Sequence, residues 1–300
     1  MSREWLNARE RSNTFAIRVL IWIALALGRP AARAVLVPVV TYYLIFGGRA
    51  RRASRDYLQR VLGRKPSLRD VFRHFYTFAT VALDRVYFLA DRWSLFDIGL
   101  HGEELLIEQL ENNKGCFLIG AHVGSFESLR SLGRRRQVTV NLVMFEENAN
   151  RVARVARAIN PALKDDIIAL GTPDSMLRVI EQLDKGAWVG MLADRAISEG
   201  GMVAVPFLGA TALFPAAPFR IAALTGRTVI LMIGLYRGAN RYDLHFETLV
   251  ESPSLPRAER DQIVEGWMRL YAARLEHYCR EAPFNWFNFY EFWSSDDKAA

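Results

Sequence analysis

Cysteine is scarce in this chain of 300 residues, which holds only Cys116 and Cys279. The two lie far apart in sequence, and neither belongs to a spacing typical of a metal site. So few cysteines argue against a fold built on a disulfide framework and favour a reducing compartment, with a single disulfide left open. Pairs or triples of His, Cys and carboxylates at ligand spacing are also missing. The sequence therefore predicts no metal site and no bound cofactor.

Long uninterrupted apolar runs are missing as well. The two longest, 15–27 and 34–46, each fall short of the roughly 20 residues that a membrane-spanning helix needs, and Gly28-Arg29-Pro30 separates them. Arg18 and Pro38 interrupt them further. The expected arrangement is a pair of helices in the membrane interface, with a single span and two core helices of a soluble protein as alternatives. A small-residue cleavage site is absent too, which argues against a removed signal peptide.

Positive charge is concentrated near the N-terminus. Residues 1–65 hold 13 Lys or Arg and three Asp or Glu, although the net charge of the whole chain is only +7. A basic region suits either nucleic acid or an anionic membrane. Because arginines follow directly on the two apolar runs and no nucleic-acid module accompanies them, the expected partner is an anionic membrane surface and not nucleic acid. The basic flank places the protein on the cytoplasmic face.

The pattern of the sequence changes near residue 100. Residues 1–100 predict a helical, membrane-associating portion, and residues 101–300 predict an α/β catalytic domain. The expected fold is a mixed, largely parallel sheet covered by helices. The predicted strands are 116–121, 138–145, 166–170, 187–193, 202–207, 228–236 and 242–249, and the predicted helices of this domain are 102–113, 126–134, 147–159, 173–184, 215–225 and 257–280.

One short segment combines a buried strand with a candidate catalytic pair. The apolar run 116–121 brings His122 to a strand's carboxyl end, where open α/β sheets place their chemistry. Gly124 permits a tight turn, and Ser125 is a favourable N-cap for the helix that follows. Glu127 then falls in the first helical turn, from which it can approach the imidazole. The pattern predicts a general base with an orienting carboxylate, and a buried His beside a capping Glu is the alternative.

Three features together resemble a known family. They are the His-x4-Glu spacing of His122 and Glu127, a strand ending in Asp194-Arg195 before the block 205–209 (VPFLG), and the aromatic tail 285–293. This layout resembles the bacterial lipid A late acyltransferases, within the His-x4-Asp/Glu lysophospholipid acyltransferase superfamily. The resemblance covers most of the chain. It departs at Arg195, where that family more often has Gln, and in a tail without the family's usual His and Arg residues.

The resemblance implies an O-acyltransferase of the bacterial inner membrane. It would move a fatty acyl group from a thioester, on acyl carrier protein or coenzyme A, to a hydroxyl of a lipid or glycolipid acceptor. The resemblance makes acyl carrier protein the expected donor, and the basic N-terminal region would suit that acidic partner. His122 would be the general base, oriented by Glu127. The predicted substrate-binding residues are Gly124, Ser125, Asp194, Arg195, Phe207 and Gly209, with Arg195 either binding an oxyanion or phosphate or forming a salt bridge with Asp194 or Glu199.

Two other functions stay open at this point. One is an acyltransferase with a lysophospholipid or a lipid-linked pigment as acceptor, and the other is a non-catalytic, membrane-associated lipid-binding protein. The remaining histidines are interpreted as structural, with His74 and His277 in helices, His245 in a strand and His101 in a loop. The tail aromatics fit either a membrane boundary or packing over the sheet.

Overall fold

The computed structural model describes residues 14–112, 114–145, 149, 156, 159–160, 167–171, 174–195, 201–251 and 260–293. Most of the predicted helix 147–159 lies outside these residues. The helices are α1 Thr14–Phe46, α2 Gly48–Leu62, α3 Leu68–Leu89, α4 Glu103–Glu111, α5 Glu127–Arg135, α6 Ser175–Asp184, α7 Ala217–Thr225 and α8 Arg260–Glu281. The strands are β1 Asp97–His101, β2 Cys116–Gly120, β3 Val140–Phe145, β4 Ile167–Leu170, β5 Trp188–Leu192, β6 Met202–Phe207, β7 Ala210–Pro215, β8 Val229–Gly238 and β9 Arg241–Val250.

A seven-stranded sheet with the order β1-β9-β8-β2-β5-β3-β4 forms the centre of the protein. Each neighbouring pair in it is parallel except β8 and β9, which are antiparallel. The predicted α/β class with a mixed, largely parallel sheet is therefore confirmed. β2 is buried at every position, as its unbroken apolar sequence requires of a strand covered on both faces. The sheet already begins at Asp97, before the predicted boundary at residue 100, and the division into two portions stays a prediction.

The segment 202–215 forms a separate two-stranded hairpin instead of joining the sheet. β6 and β7 pair antiparallel, and the turn between them consists of Leu208 and Gly209. Both turn residues have positive φ, 51° and 78°. Two-residue hairpin turns of type I′ need this conformation, because it follows the right-handed twist of the paired strands. A leucine in this conformation gives no turn signal in the sequence. The backbone N–H of Leu208 donates to Glu276 of α8 at 2.5 Å, which holds the turn against the protein.

α1 joins the two apolar runs into one kinked helix. The kink is at Gly28, whose φ of 83° and ψ of 172° are not helical, so the predicted break is confirmed. The span Val19–Phe46 is long and apolar enough, by length and composition, to cross a membrane. One side of α1 packs on α3, where the Tyr87 hydroxyl donates to the carbonyl of Ala24 at 2.8 Å. The other side exposes large apolar side chains, among them Trp22 at 63% and Phe46 at 61%.

A reciprocal cap between Ser67 and Asp70 marks the start of α3. The Ser67 hydroxyl accepts a hydrogen bond from the backbone of Asp70 at 3.2 Å, and the Asp70 carboxylate accepts one from the backbone of Ser67 at 2.8 Å. This reciprocal capping satisfies two of the N–H groups that a helix leaves unpaired at its start. Buried residues of α2 and α3, including Tyr57 and Val71, share one hydrophobic core with Phe117 of β2. The helical portion is thus packed directly on the sheet that carries the site.

A buried ion pair fixes the kink of α1 to the rest of the protein. The Arg29 guanidinium donates to both carboxylate oxygens of Asp84, at 2.6 and 2.7 Å, and the Tyr242 hydroxyl donates to the same carboxylate at 2.7 Å. Asp84 is fully buried. These contacts join α1, α3 and β9 at one point, and they give the buried carboxylate both a counter-charge and hydrogen bonds.

Arg29→Met should lower the free energy of unfolding by about 3–5 kcal/mol, because it leaves the Asp84 carboxylate buried without its counter-charge. Denaturant unfolding in detergent measures this. Arg33→Met is the matched control, since Arg33 lies one turn further along α1 and donates only to the carbonyl of Ala239, at 3.3 Å and in an exposed position. Its effect should stay below about 1 kcal/mol. Equal losses in the two variants would contradict a central role for the Arg29–Asp84 pair.

Candidate active site

The register of two neighbouring strands brings His122 and Asp194 together. β2 and β5 run parallel with Gly120 paired to Leu192, and each of the two functional residues lies two positions further on. The ring Nδ1 of His122 is 2.7 Å from Oδ1 of Asp194. The backbone N–H of His122 also donates to Oδ2 of Asp194, at 3.1 Å. The carboxylate therefore holds both the backbone and the ring of the histidine.

Asp194 is an ionised carboxylate in a buried position. Its side chain is 1% exposed, and the indole Nε1–H of Trp286 donates to its Oδ2 at 3.0 Å. Burial alone would raise the pKa of Asp194, but the charge and hydrogen bond of His122, with further help from Arg195, hold that pKa well below its usual range. Since an ionised carboxylate only accepts hydrogen bonds, the proton in this contact belongs to Nδ1 of His122.

The imidazole of His122 is consequently set up as a base. Burial lowers its pKa below the ordinary value, the positive charge of Arg195 lowers it further, and Asp194 acts in the opposite direction. The side chain is still 34% exposed, so the ring can meet a second molecule. With Nδ1 bound to Asp194, Nε2 carries the lone pair. The ring can therefore take a proton at Nε2 while Asp194 stabilises the charge that develops.

The expected pairing of Glu127 with the ring has to be corrected, because Asp194 occupies Nδ1. Glu127 is the first residue of α5 and is buried, and its Oε1 forms an ion pair with the Arg85 guanidinium at 2.7 Å. The reason is the packing of α3 beside α5, which places Arg85 next to the start of α5. Glu127 thus forms an ion pair with Arg85 at the start of α5.

The loop 123–125 lies tightly against β8. Gly124 has a φ of 54°, and a Cβ on it would be 1.8 Å from the carbonyl oxygen of Gly234, so no other residue fits. The N–H groups of Gly124 and Ser125 donate to the carbonyls of Asn285 and Gly234, both at 2.8 Å. Because both groups are used inside the protein, these two residues shape the loop and do not offer backbone donors to a substrate.

The sequence pattern predicts Ser125 as the N-cap of the following helix, but in the structure Ser125 does not cap it. The residue before α5 is Phe126, and no side-chain hydrogen bond caps the helix. Ser125 is buried, and its carbonyl accepts a hydrogen bond from the Ser128 hydroxyl. The serine is held by the contact between the loop and β8, which takes precedence over its local preference for a helix cap.

The C-terminal tail completes the site, which the sequence analysis did not foresee. Trp286 pairs with Val123 in a short antiparallel bridge, and the N–H of Phe287 donates to the carbonyl of His122 at 2.8 Å. The amide side chain of Asn285 bonds both the N–H and the carbonyl of Tyr236, at 2.7 and 3.2 Å. Seven aromatics in ten residues are the signal that could have pointed to this segment. They pack over the sheet, with Trp286 fully buried.

Arg195 lies beside the pair and is bound to the tail. Its Nη2 donates to the carbonyl of Phe287, and its guanidinium carbon is 5.6 Å from the centre of the Tyr290 ring. Within the part of the chain that the structure describes, its Nε is buried and has no hydrogen-bond partner. Glu199, one of its two predicted partners, lies outside the described residues.

Phe207 and Gly209, which are predicted to bind substrate, lie in the β6–β7 hairpin. Phe207 is fully buried, with ring centres at 5.3 Å from Phe214 and 5.2 Å from Trp286. It reaches the site only through Trp286, whose indole holds Asp194. Gly209 occupies the hairpin turn, where its positive φ serves the backbone. Packing explains the position of Phe207 and backbone conformation explains that of Gly209, and their role in substrate binding stays a prediction.

A polarised histidine at a strand's carboxyl end, beside a buried carboxylate and an arginine, can deprotonate a hydroxyl while a carbonyl is attacked. Residues 3–295 match the family described as bacterial lipid A biosynthesis acyltransferase. No individually curated protein has a significant match to the chain. Since the family match covers nearly the whole length, the chain belongs to the bacterial lipid A biosynthesis acyltransferases and is an acyltransferase that acts on a lipid.

Proposed function

We propose that this acyltransferase moves a fatty acyl group from an acyl thioester directly to a hydroxyl of a glycolipid acceptor, with His122 as the general base. The observation that carries the proposal is the 2.7 Å contact between Nδ1 of His122 and the buried Asp194. In place of the expected Glu127, Asp194 fixes the tautomer that leaves Nε2 free to accept the proton. It also stabilises the imidazolium that forms as the hydroxyl attacks.

Direct transfer without an acyl-enzyme fits the nucleophiles that the described residues contain. Cys116 and Cys279 are fully buried, and burial raises the pKa of both thiols. Ser125 and Ser128 are buried as well, and the Ser128 hydroxyl donates to a backbone carbonyl. None of these four groups is placed as an activated nucleophile. The acceptor hydroxyl is therefore the attacking group, and the thiol of the donor leaves with the proton that His122 returns.

The negative charge that forms on the thioester oxygen needs a stabilising group. Arg195 supplies a fixed positive charge next to His122, where it already lowers the pKa of the ring. The start of α5, directly after the His122 loop, adds the partial positive charge of a helix N-terminus. The ion pair between Arg85 and Glu127 keeps the carboxylate at that helix start from cancelling the effect.

The choice of donor rests on the surface of α2. Arg49, Arg52 and Arg55 are exposed on this helix, and its net charge is strongly positive. An acidic carrier protein is a natural partner for such a surface, because complementary charge steers the encounter. We therefore favour acyl carrier protein over coenzyme A as the donor.

The placement of α1 favours attachment to one face of the membrane over a full span. Arg29 and Arg33 lie near the middle of the apolar span, where a crossing helix would carry them to the bilayer centre at about 2.5–3.5 kcal/mol each. Both are bound to the protein instead, Arg29 to Asp84 and Arg33 to the carbonyl of Ala239. The helix would then rest in the interface on the cytoplasmic face, with its exposed apolar side in the lipid.

The pH dependence of acyl transfer should follow the pKa of His122, which depends on the charges of Asp194 and Arg195. The base must be neutral, so kcat/KM should fall on acidification through a pKa below the ordinary value of about 6.5. Asp194→Asn removes the charge that raises this pKa and should move the acidic limb to lower pH, with a loss of about 10³-fold or more in kcat. Arg195→Gln removes a charge that lowers the pKa and should move the limb to higher pH.

Rates of transfer from labelled acyl carrier protein to a lipid A precursor, between about pH 4.5 and 8.5, give these profiles. Arg178→Gln, which removes a surface arginine of α6, is the control and should leave the profile unchanged. His122→Ala should abolish transfer while membrane binding persists. Full activity of His122→Ala would instead favour the non-catalytic lipid-binding alternative.

Trp286→Phe should lower kcat by roughly 10-fold or more at nearly constant KM. It removes the indole donor to Asp194 and leaves that carboxylate short of one charge-assisted hydrogen bond, worth about 1.5–3 kcal/mol. Trp293→Phe is the matched control, because its indole donates to the carbonyl of Phe207 at 3.2 Å and not to the site. Steady-state kinetics with both variants tests the difference. Equal losses would show that only packing in the aromatic tail matters.

Membrane binding should depend on the exposed side of α1. Replacing Trp22 and Phe46 together by Glu should weaken binding to anionic vesicles by at least about 10-fold, since burial of each large apolar side chain contributes about 1.5–3 kcal/mol. Flotation with vesicles that contain phosphatidylglycerol measures this, and added salt should weaken the wild type further. Leu177→Glu is the control, as Leu177 is 69% exposed on α6. An equal loss with Leu177→Glu would argue against α1 as the attachment surface.

A further inference from the structure

Two histidines and an aspartate meet on the outer strands of the sheet. His101 ends β1, and Asp243 and His245 lie two positions apart on β9, which puts the latter two on the same face. The parallel register pairs His101 with His245 and Gly99 with Asp243, so all four residues share that face. One nitrogen or oxygen donor from each of the three side chains lies within 4.8 Å of the other two. His101, predicted to lie in a loop, is thus a strand residue.

Two of the donor atoms lie beside a space that Gly99 leaves open. A Cβ at Gly99 would be 2.8 Å from Oδ1 of Asp243 and 3.5 Å from Nε2 of His101. The other carboxylate oxygen of Asp243 accepts from Nε of Arg237 at 2.6 Å. One oxygen is therefore fixed by an arginine while the other points towards the histidines. Metal-binding carboxylates are commonly oriented by an outer hydrogen bond of this kind.

A second, independent observation concerns His245. Its Nε2 is buried, and among the residues that the structure describes it has no hydrogen-bond partner. Buried polar atoms are nearly always paired, so an orphaned imidazole nitrogen beside another imidazole and a carboxylate suggests a missing partner. The two rings are stacked, with centres 4.5 Å apart and planes 11° apart, so one ring must rotate before nitrogens of both can face a single ion.

We propose that His101, Asp243 and His245 bind a divalent transition-metal ion, with Zn²⁺ as the expected ion. Two imidazoles and one carboxylate are a typical donor set for zinc, and a water completes the tetrahedron. Donors around zinc are about 3.3 Å apart, so the side chains must close by about one to two ångströms, which the exposed His101 can do.

A metal ion at this site would stabilise the fold and take no part in acyl transfer. β8 lies between β9 and β2 in the sheet, which separates the cluster from His122. An ion there would join the edge strand β1 to β9, under the end of α8, where the Tyr278 ring lies 5.1 Å from that of His245. The spacing of these histidines in the sequence predicts no metal site. Only the pairing of β1 with β9 brings His101 to the other two ligands.

Zinc titration of the tag-free full-length protein in detergent, after removal of metal with a chelator, tests the proposal. The wild type should bind one equivalent in competition with a chromophoric chelator, and Co²⁺ should give the absorption of a tetrahedral site. His101→Ala should weaken binding by about 10-fold or more, because it removes a direct ligand. His277→Ala is the matched control, since this exposed histidine of α8 is outside the cluster.

Each outcome of the titration has a definite reading. The proposal is overturned if the wild type fails to take up one equivalent, or if His101→Ala and His277→Ala bind equally well. Circular dichroism checks that His101→Ala is folded. If it is not, Asp243→Asn takes its place, because it keeps the side-chain shape and removes only the ligand charge. Zinc should also raise the unfolding temperature of the wild type and of His277→Ala, and leave that of the ligand variant unchanged.

Discussion

The candidate active site of this protein depends on the parallel pairing of β2 with β5. That register places His122 and Asp194 at the same offset beyond their strands, so a 2.7 Å contact forms between residues 72 positions apart in sequence. The carboxylate holds the ring and the backbone of the histidine together, and the indole of Trp286 fixes it from the other side. The proposed base is thus positioned by the sheet itself.

Local patterns in the sequence predict the parts of the site, but they do not predict how the parts are paired. The strand before His122, the turn at Gly124, the strand before Asp194 and the kink at Gly28 all follow from runs of a few residues. The sequence pattern pairs His122 with Glu127, the nearest acid in sequence. In the structure the pairing of β2 with β5 brings Asp194 to the ring instead. Arg85, which pairs with Glu127, comes from another helix, and no local signal connects the two.

The differences from the sequence-based expectation share one physical cause, the dominance of tertiary contacts over local preference. Ser125 gives up a capping role because its N–H is bound to β8. Leu208 has a positive φ, and burial of its side chain and the hydrogen bond from its N–H to Glu276 stabilise that conformation. In each case the residue that decides the outcome lies more than 50 positions away.

The contact between Gly124 and Gly234 shows how a residue without any functional group can govern a reaction. The two backbones approach so closely that a methyl group on either would meet a carbonyl oxygen, at 1.8 Å for Gly124 and 2.4 Å for Gly234. Any larger side chain would push the loop outward and draw the imidazole away from its acid. Substitution of either glycine by any other residue is therefore expected to disturb the loop that holds His122.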